Sequence, residues 1–150
     1  MVLHAVRTGV ADRARAWGCY ARARMLAVRG VAAGRHAGVE RGCRIDRPWN
    51  VRLGACSRLD QFVWLKLVSA RAHVKIGAYS SLGAWTELDV IDSVSIGEHT
   101  VIAPRCFISD HDHGMAADRR IDEQSCPSAP VRIGSDVWLG AGAVVLRGVT

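Results

Sequence analysis

The sequence predicts an all-β solenoid, a triangular prism of short strands, preceded by an N-terminal helical segment. The first observation is a six-residue period of aliphatic side chains on both sides of a polar segment at 109–130. Its members in the second half of the chain are Ile96, Ile102, Ile108, Ile133, Leu139 and Val145. The second observation is that a small residue follows the aliphatic one, as at Gly97, Ala103, Gly134 and Gly140. A β-sandwich would instead alternate apolar and polar residues with a period of two, so the period favours the solenoid.

A period of six is explained when each unit supplies one short strand and one corner, and three units complete a coil. The aliphatic side chain points inward, where its burial stabilises the fold by roughly 1.5–3 kcal/mol. The small residue after it is expected to let the chain turn at the corner, where a larger side chain would clash. Coils then stack at the usual strand spacing of about 4.8 Å, and we expect about five of them.

The period is weaker towards the N-terminus. Val39, Ile45 and Val51 are in phase, positions 57–69 weaken the pattern, and it becomes strong again at Ile76 after a shift. We therefore predict two parts, a basic helical segment at 1–38 and a hexapeptide-repeat domain at 39–150.

The N-terminal segment has the composition of a helix, because residues 1–35 contain many alanines and no proline. Trp17, Tyr20, Met25 and Val28 recur at roughly helical spacing, with arginines elsewhere on the helix. Such a helix either covers the open end of the solenoid or lies on a membrane surface as a basic amphipathic helix.

Charge is distributed unevenly along the chain, whose net charge is +6. Residues 1–58 hold twelve arginines against three acids, a net charge of +9, and residues 59–150 hold eight basic residues against eleven acids, a net charge of −3. The basic part is either a solvated face or a contact for anionic lipid or a phosphate-bearing ligand. No nucleic-acid-reading motif accompanies it, so nucleic acid is not expected as a partner.

The cysteines and the apolar runs indicate the compartment. The five cysteines are odd in number and lack metal-like spacing, as expected of reduced thiols in the cytoplasm. No secretory signal or membrane-spanning run is visible. We therefore predict a cytoplasmic protein, with the inner face of the cytoplasmic membrane as an alternative position for its basic N-terminal segment.

Two segments resemble the hexapeptide-repeat acyltransferases: Ile102-Ala-Pro-Arg-Cys-Phe-Ile-Ser-Asp-His-Asp-His-Gly114 and the run 129–150, which contains Ile-Gly-Ser-Asp-Val-Trp-Leu-Gly-Ala-Gly-Ala. The greatest similarity is to the sugar O-acetyltransferases of bacterial surface-polysaccharide synthesis, relatives of the maltose and galactoside acetyltransferases. The resemblance implies a left-handed parallel β-helix, an exception to the right-handed crossover rule. It also implies a homotrimer that moves an acetyl group from acetyl-CoA to a hydroxyl of a sugar, or of a nucleotide-linked or lipid-linked glycan, without a metal.

The interruption at 109–130 is where we expect the catalytic base, because the resemblance implies a loop histidine in that role. The unperturbed pKa of histidine, near ~6.5, suits proton abstraction from a hydroxyl at neutral pH. Counting from the Ile-Ala-Pro corner, the relatives' histidine falls at His113, and His111 is the second candidate. The other ring nitrogen needs a partner that fixes the tautomer, for which Asp110, Asp112 and a backbone carbonyl are candidates.

The donor site is expected near the end of the chain. Trp138, Gly140 and Ala141 match the relatives' coil along which the pantetheine arm of acetyl-CoA lies, and a backbone N–H there could hold the thioester oxygen. A corner tryptophan also packs between subunits, which is the alternative for Trp138. Some relatives place an asparagine near the position of Gly83 to hold the acceptor, and this chain lacks it. Trp85 is either a stacking face for a sugar or a core residue.

Two further hypotheses compete with the acetyltransferase. The sequence stops in mid-coil at Val149-Thr150 where the relatives continue, so the chain could be a truncated, inactive β-helix that acts as a scaffold or trimerisation module. A metal enzyme of the γ-class carbonic anhydrase type needs three converging histidines, and the separation of His111 and His113 is wrong for that family. The remaining histidines are expected to be structural or at the surface: His4, His36, His73 and His99.

Overall fold

The computed structural model describes residues 10–150, and it contains one helix and fifteen short strands in that range. Helix α1 spans Val10–Val28. The strands are β1 Ala32–Ala33, β2 Gly38–Val39, β3 Arg44–Ile45, β4 Val51–Leu53, β5 Arg58–Leu59, β6 Trp64–Leu67, β7 His73–Ile76, β8 Ser81–Leu82, β9 Glu87–Val90, β10 Ser93–Ile96, β11 Val101–Ile102, β12 Phe107–Ser109, β13 Val131–Ile133, β14 Trp138–Leu139 and β15 Val144–Val145. Two short 3-10 turns lie at Pro48–Asn50 and Ile121–Glu123.

The strands form three parallel sheets of five strands each. Sheet A has the order β1-β4-β7-β10-β13, sheet B contains β2, β5, β8, β11 and β14, and sheet C contains β3, β6, β9, β12 and β15. Each strand therefore pairs in parallel with the strand three positions later, one coil further along the prism. The predicted all-β solenoid is confirmed, and it matches a left-handed parallel β-helix.

Aliphatic side chains stack along the inside of the prism in register. In sheet A, Leu53 lies over Ile76, Ile76 over Ile96, and Ile96 over Ile133. Val51 is buried and pairs with Val74, but the predicted phase is two residues off in the second coil, because Leu53 and not Val51 is in register with Ile76. The 3-10 turn at Pro48–Asn50 adds two residues between Ile45 and Leu53. A strict period of six residues therefore does not extend across this turn.

All insertions into the period fall at one corner, where sheet C leads into sheet A. The stacked aliphatic positions there are eight residues apart from Ile45 to Leu53 and from Leu88 to Ile96, instead of six. The segment 110–130 leaves the prism at this corner after β12 and returns at β13. The candidate histidines therefore lie at the end of sheet C.

The corners turn at a different residue from the one predicted. The third residue after the inward aliphatic one has a positive φ, for example Tyr79 at 58° and Trp85 at 64°, a conformation uncommon for residues other than glycine. The small residue directly after the aliphatic one has another role. A Cβ on Gly77 would meet the carbonyl oxygen of Gly97 at 2.3 Å, so glycine here lets consecutive coils approach.

Helix α1 packs on the first coil through its small residues. Cys19 and Ala23 are 2% and 1% exposed, and the helix contacts β1 and β2. Arg22 donates from Nε to the carbonyl oxygen of Val39 at 2.8 Å, so the helix also satisfies an acceptor on the edge strand β2. Helix α1 therefore covers the first coil, which is one of the two roles expected for it. The first strand, Ala32–Ala33, lies inside the segment 1–38, so the strands begin before the predicted boundary at residue 39.

Candidate active site

Asp110 anchors the inserted segment to the preceding coil. Its side chain is fully buried and accepts hydrogen bonds from the backbone N–H groups of Ile91 at 2.8 Å and Asp92 at 2.7 Å. Backbone pairing continues beyond it, since Ala129 donates to the carbonyl of Asp110 at 2.8 Å. The start of the loop is therefore rigidly positioned against the corner at 91–92, although the segment that follows it is polar.

His111 is held between two carboxylates at the end of sheet C. Its Nδ1 lies 3.1 Å from Oδ1 of Asp110, and its Nε2 lies 4.0 Å from Oδ1 of Asp89. The side chain is 10% exposed. A carboxylate at Nδ1 favours the tautomer with the proton on Nδ1, which leaves the lone pair on Nε2. This is the arrangement that a general base requires.

Asp89 and Lys66 belong to the same cluster, although the sequence alone does not single them out. They are register partners on β9 and β6, and Lys66 Nζ lies 2.6 Å from Oδ2 of Asp89. The other oxygen of Asp89 is buried and has no hydrogen-bond partner among the described residues. A buried carboxylate oxygen without a partner is costly, so this atom is suited to receive a hydrogen bond from a ligand or from protonated His111. Both residues point outward from sheet C, and aligning the coils in register would have placed them side by side.

Glu87 adds a second carboxylate to the outer face of β9. Burial raises the pKa of this carboxyl, and the negative charge of Asp89 adds to the rise, while the ammonium of Lys66 opposes it. The face that leads to His111 is thus rich in carboxylates and partly desolvated.

His113 has different surroundings. It is exposed, and its Nδ1 lies 3.6 Å from the thiol of Cys126 on the returning arm of the loop. The neighbouring Asp112 forms an ion pair with Arg147 and does not contact His113. The structure therefore brings a carboxylate to His111 and a thiol to His113.

The predicted donor residues lie in the last described coil, at the corner between sheets B and C. Trp138 is 77% exposed on the outer face of β14. A Cβ on Gly140 would meet nothing within 4 Å, and Ala141 is exposed. Strands β13, β14 and β15 each have a partner on one side only.

Trp85 is not a core residue. It is 58% exposed and stacks on Phe62 at a centroid distance of 4.3 Å. The other role expected for Trp85, a stacking face for a sugar, stays a prediction. His36, His73 and His99 are exposed, and His99 stacks on Tyr79, whereas His4 lies outside the described residues.

Two negative findings concern residues 10–150. No group of three or more histidine, cysteine, aspartate or glutamate side chains in this range is arranged to hold a metal ion. No helix described there is long and apolar enough to cross a membrane.

Comparison with known proteins was made by sequence and by structure. No protein-family model matches the chain. WbbJ of Escherichia coli, named as a lipopolysaccharide biosynthesis O-acetyl transferase, is 41% identical over 109 residues, which cover 66% of this chain and 51% of that protein. A Mycobacterium tuberculosis protein named as an acetyltransferase is 36% identical over 84 residues, 53% of this chain and 28% of its own length. Nodulation protein L of Rhizobium meliloti is 35% identical over 78 residues, 52% of this chain and 42% of its own length.

The chain thus spans about half or less of the length of these curated relatives. Among solved structures, AntD, an N-acyltransferase from Bacillus cereus, matches with a TM-score of 0.70 and 20% identity over 83% of this chain and 68% of AntD. That crystal structure contains dTDP and 3-hydroxybutyryl-CoA. The resemblance to the hexapeptide-repeat acyltransferases is confirmed by these similarities.

Proposed function

We propose that this chain is an O-acetyltransferase that moves an acetyl group from acetyl-CoA to a hydroxyl of a sugar or polysaccharide precursor. The observation that supports the proposal most is His111, fixed at Nδ1 by buried Asp110 and facing Asp89 with Nε2. The similarity to proteins named as acetyltransferases agrees with it.

In the proposed reaction, His111 is the general base. Its Nε2 takes the proton of the acceptor hydroxyl, whose oxygen attacks the thioester carbon. The tetrahedral intermediate expels the CoA thiolate, and the imidazolium of His111 returns the proton to sulfur. Asp110 and Asp89 flank the positive charge that His111 carries between these steps, so both carboxylates stabilise it. The count from the Ile-Ala-Pro corner favours His113 instead, and alanine variants of the two histidines distinguish these assignments.

The acceptor is proposed to lie on the outer face of sheet C. Asp89 and Glu87 offer carboxylate oxygens to sugar hydroxyls, and Asp89 Oδ1 lacks a partner among the described residues. The donor is proposed to lie along Trp138, Gly140 and Ala141, because these residues match the coil that the resemblance assigns to the pantetheine arm and because Trp138 is 77% exposed on the outer face of β14. A homotrimer would bring the edge of one prism to the loop of the next.

The proposal is tested by release of the CoA thiol from acetyl-CoA in the presence of sugar acceptors. His111→Ala is expected to lower kcat by about 10²-fold or more, because general base catalysis contributes that much. His113→Ala, the matched control on the same loop, is expected to retain most of the wild-type rate. Loss of turnover in His113→Ala with full activity in His111→Ala would show that the general base is His113 and not His111. The absence of turnover in the folded wild-type protein with every acceptor would contradict the proposed function.

Contact with an anionic membrane surface is proposed for helix α1. Its outward side chains Trp17, Met25 and Val28 are 74%, 68% and 91% exposed, and the charge of residues 1–58 is +9. Apolar side chains next to arginines favour the interface of a negatively charged bilayer, such as the inner face of the cytoplasmic membrane. Flotation with phosphatidylglycerol vesicles should fall in a Trp17→Ser/Met25→Ser variant, and equal flotation of both proteins would refute the contact.

A further inference from the structure

The outward side of sheet A, which we call the basic face, carries cations and no acid on any of its five strands. The side chains that point outward from these strands are Ala32, Arg52, His73, Lys75, Ser93, Ser95 and Arg132. The strands of sheet A thus contribute three formal positive charges and no negative charge, whereas those of sheet C contribute two cations and two acids. Sheet A is therefore the cationic side of the prism.

The cations of the basic face lie on neighbouring strands without a compensating charge. Arg52 and Lys75 are register partners, about 4.8 Å apart along the prism, and Arg132 lies two strands further on. All three are exposed, and none forms an ion pair with a described residue. Like charges at directly opposing positions destabilise a sheet. On sheet C the comparable register partners, Lys66 and Asp89, have opposite charges, so packing of the coils does not require the like-charged pair on sheet A.

The edges of the basic face are basic at its N-terminal end and acidic at its C-terminal end. The exposed corner cations are Arg35 and Arg71, and the later corner acids are Asp92, Glu98 and Asp136. Asp46, at the N-terminal end, is already paired with Arg44. Glu98 lines a groove together with Arg52 and Lys75 but forms an ion pair with neither of them. The unneutralised positive charge is therefore concentrated over the second and third coils.

Exposed apolar side chains lie beside the basic face, at the corner where sheet C leads into sheet A. Trp49 is 67% exposed in the turn before β4, and Val68 is 41% exposed at the same corner one coil later. Trp49 also adjoins the end of α1, because a Cβ on Gly30 would lie 3.0 Å from Trp49 Cβ. Val28, the last residue of α1, is exposed as well. An apolar edge therefore connects the basic face with the end of the helix.

Cations on a flat face, next to exposed apolar side chains, suit the surface of an anionic bilayer. Anionic head groups attract arginine and lysine, while tryptophan and aliphatic side chains enter the interfacial region. A soluble polyanion would bind the cations but would leave Trp49 and Val68 in water. We propose that the basic face binds an anionic membrane surface, so that the prism lies along the bilayer with sheet A against it. This contact is independent of the proposed reaction, and it adds a second surface to the contact proposed for α1.

The test is sedimentation of the full chain with vesicles made of equal parts of phosphatidylglycerol and phosphatidylcholine. Arg52→Gln/Lys75→Gln should lower the partition coefficient about 30-fold, because two cations near an anionic surface are removed. Arg41→Gln/Arg105→Gln is the charge-matched control, since both arginines are exposed at the corner between sheets B and C, opposite sheet A. The control should partition like wild type, and vesicles of phosphatidylcholine alone should bind wild type much more weakly.

Quenching of tryptophan fluorescence by brominated lipid in the same vesicles measures the orientation of the prism. Quenching should fall in Trp49→Phe, because the ring at the edge of the basic face is lost. It should not fall in Trp85→Phe, the matched control, because Trp85 is exposed at the corner opposite sheet A.

Several results would overturn the inference. They are equal partition of wild type and Arg52→Gln/Lys75→Gln, an equal loss in Arg41→Gln/Arg105→Gln, and a loss confined to the α1 variant Trp17→Ser/Met25→Ser. Dextran sulfate that binds wild type while vesicles do not would identify a soluble polyanion as the partner instead. A change of oligomeric state in Arg52→Gln/Lys75→Gln without lipid would show that a second copy of this chain covers the face. Thiol release from acetyl-CoA without vesicles measures the acetyltransferase separately.

Discussion

Replacing Asp110 by asparagine should weaken the fold and the candidate base together. The carboxylate accepts from two backbone N–H groups at 2.7 and 2.8 Å and contacts His111 Nδ1 at 3.1 Å. An asparagine side chain has the same shape, but its single oxygen can replace only one carboxylate oxygen. Its NH₂ group would face either a backbone donor or the imidazole.

The magnitude follows from these contacts. A hydrogen bond to a charged group contributes about 1.5–3 kcal/mol, and a buried donor left without a partner costs about 1–3 kcal/mol. We expect Asp110→Asn to lower the free energy of unfolding by about 2–4 kcal/mol, allowing for relaxation of the loop. At an m value of about 2 kcal/mol/M, this shifts the urea midpoint down by about 1–2 M.

Urea denaturation followed by tryptophan fluorescence measures the shift. Asp136→Asn is the matched control, because Asp136 is exposed in a left-handed corner conformation that asparagine also adopts, and it should change stability by less than about 0.5 kcal/mol. An Asp110→Asn variant with the wild-type midpoint would show that Asp110 does not anchor the loop.

Three further outcomes follow from the structure. Gly77→Ala should destabilise the protein by about 1–3 kcal/mol because its Cβ would meet the backbone of the next coil, whereas Gly38→Ala, whose Cβ would make an ordinary contact with Cys19 Cβ at 3.5 Å, should not; equal urea midpoints would contradict the close stacking of coils. Burial raises the pKa of Glu87 above its usual 4.5, so the native state holds this proton to higher pH than the unfolded state, and stability contributed by Glu87 falls as pH rises through that window. Glu87→Gln should therefore be more stable than wild type at pH 7 and equal to it at pH 3, and a difference that persists at pH 3 would point to another cause. Burial also raises the pKa of the Cys43 thiol to about 11, so at pH 8 about one such thiol in a thousand is ionised; iodoacetamide should therefore label Cys43 after Cys126, which is half-buried on the loop, and mass mapping that finds the reverse order would refute the raised pKa of Cys43.

The fold could be predicted because the inward positions of a prism leave a period in the sequence. Ile96, Ile102 and Ile108 have their counterparts one coil later at Ile133, Leu139 and Val145. The position of the period around Val51 could not be predicted. A turn adds two residues there, and no change in the apolar pattern marks the addition. The role predicted for the small residue after each inward aliphatic one was partly wrong. A glycine permits both a close approach between coils and a positive φ, and the residue type alone does not distinguish these two roles.

The candidate site was only partly predictable. The interruption of the period located the loop, and its histidines and aspartates identified the type of chemistry. Side-chain orientation decided which histidine meets a carboxylate, and sequence spacing carries no such information for His111 and His113. Asp89 and Lys66 were missed because outward positions on a solenoid follow no hydrophobic period. The packed face of α1 was hidden for a related reason, since Cys19 and Ala23 are small and the larger Trp17 faces outward.

Calorimetric titration with acetyl-CoA measures whether this chain binds the proposed acyl donor. Wild type and His111→Ala are both expected to bind with one site per chain and similar affinity, because His111 is proposed to transfer the proton, whereas Trp138, Gly140 and Ala141 are proposed to hold the donor. Thiol release measured on the same samples should then be lost in the variant alone. If neither folded protein binds acetyl-CoA, this chain is not an acetyl-CoA-dependent transferase.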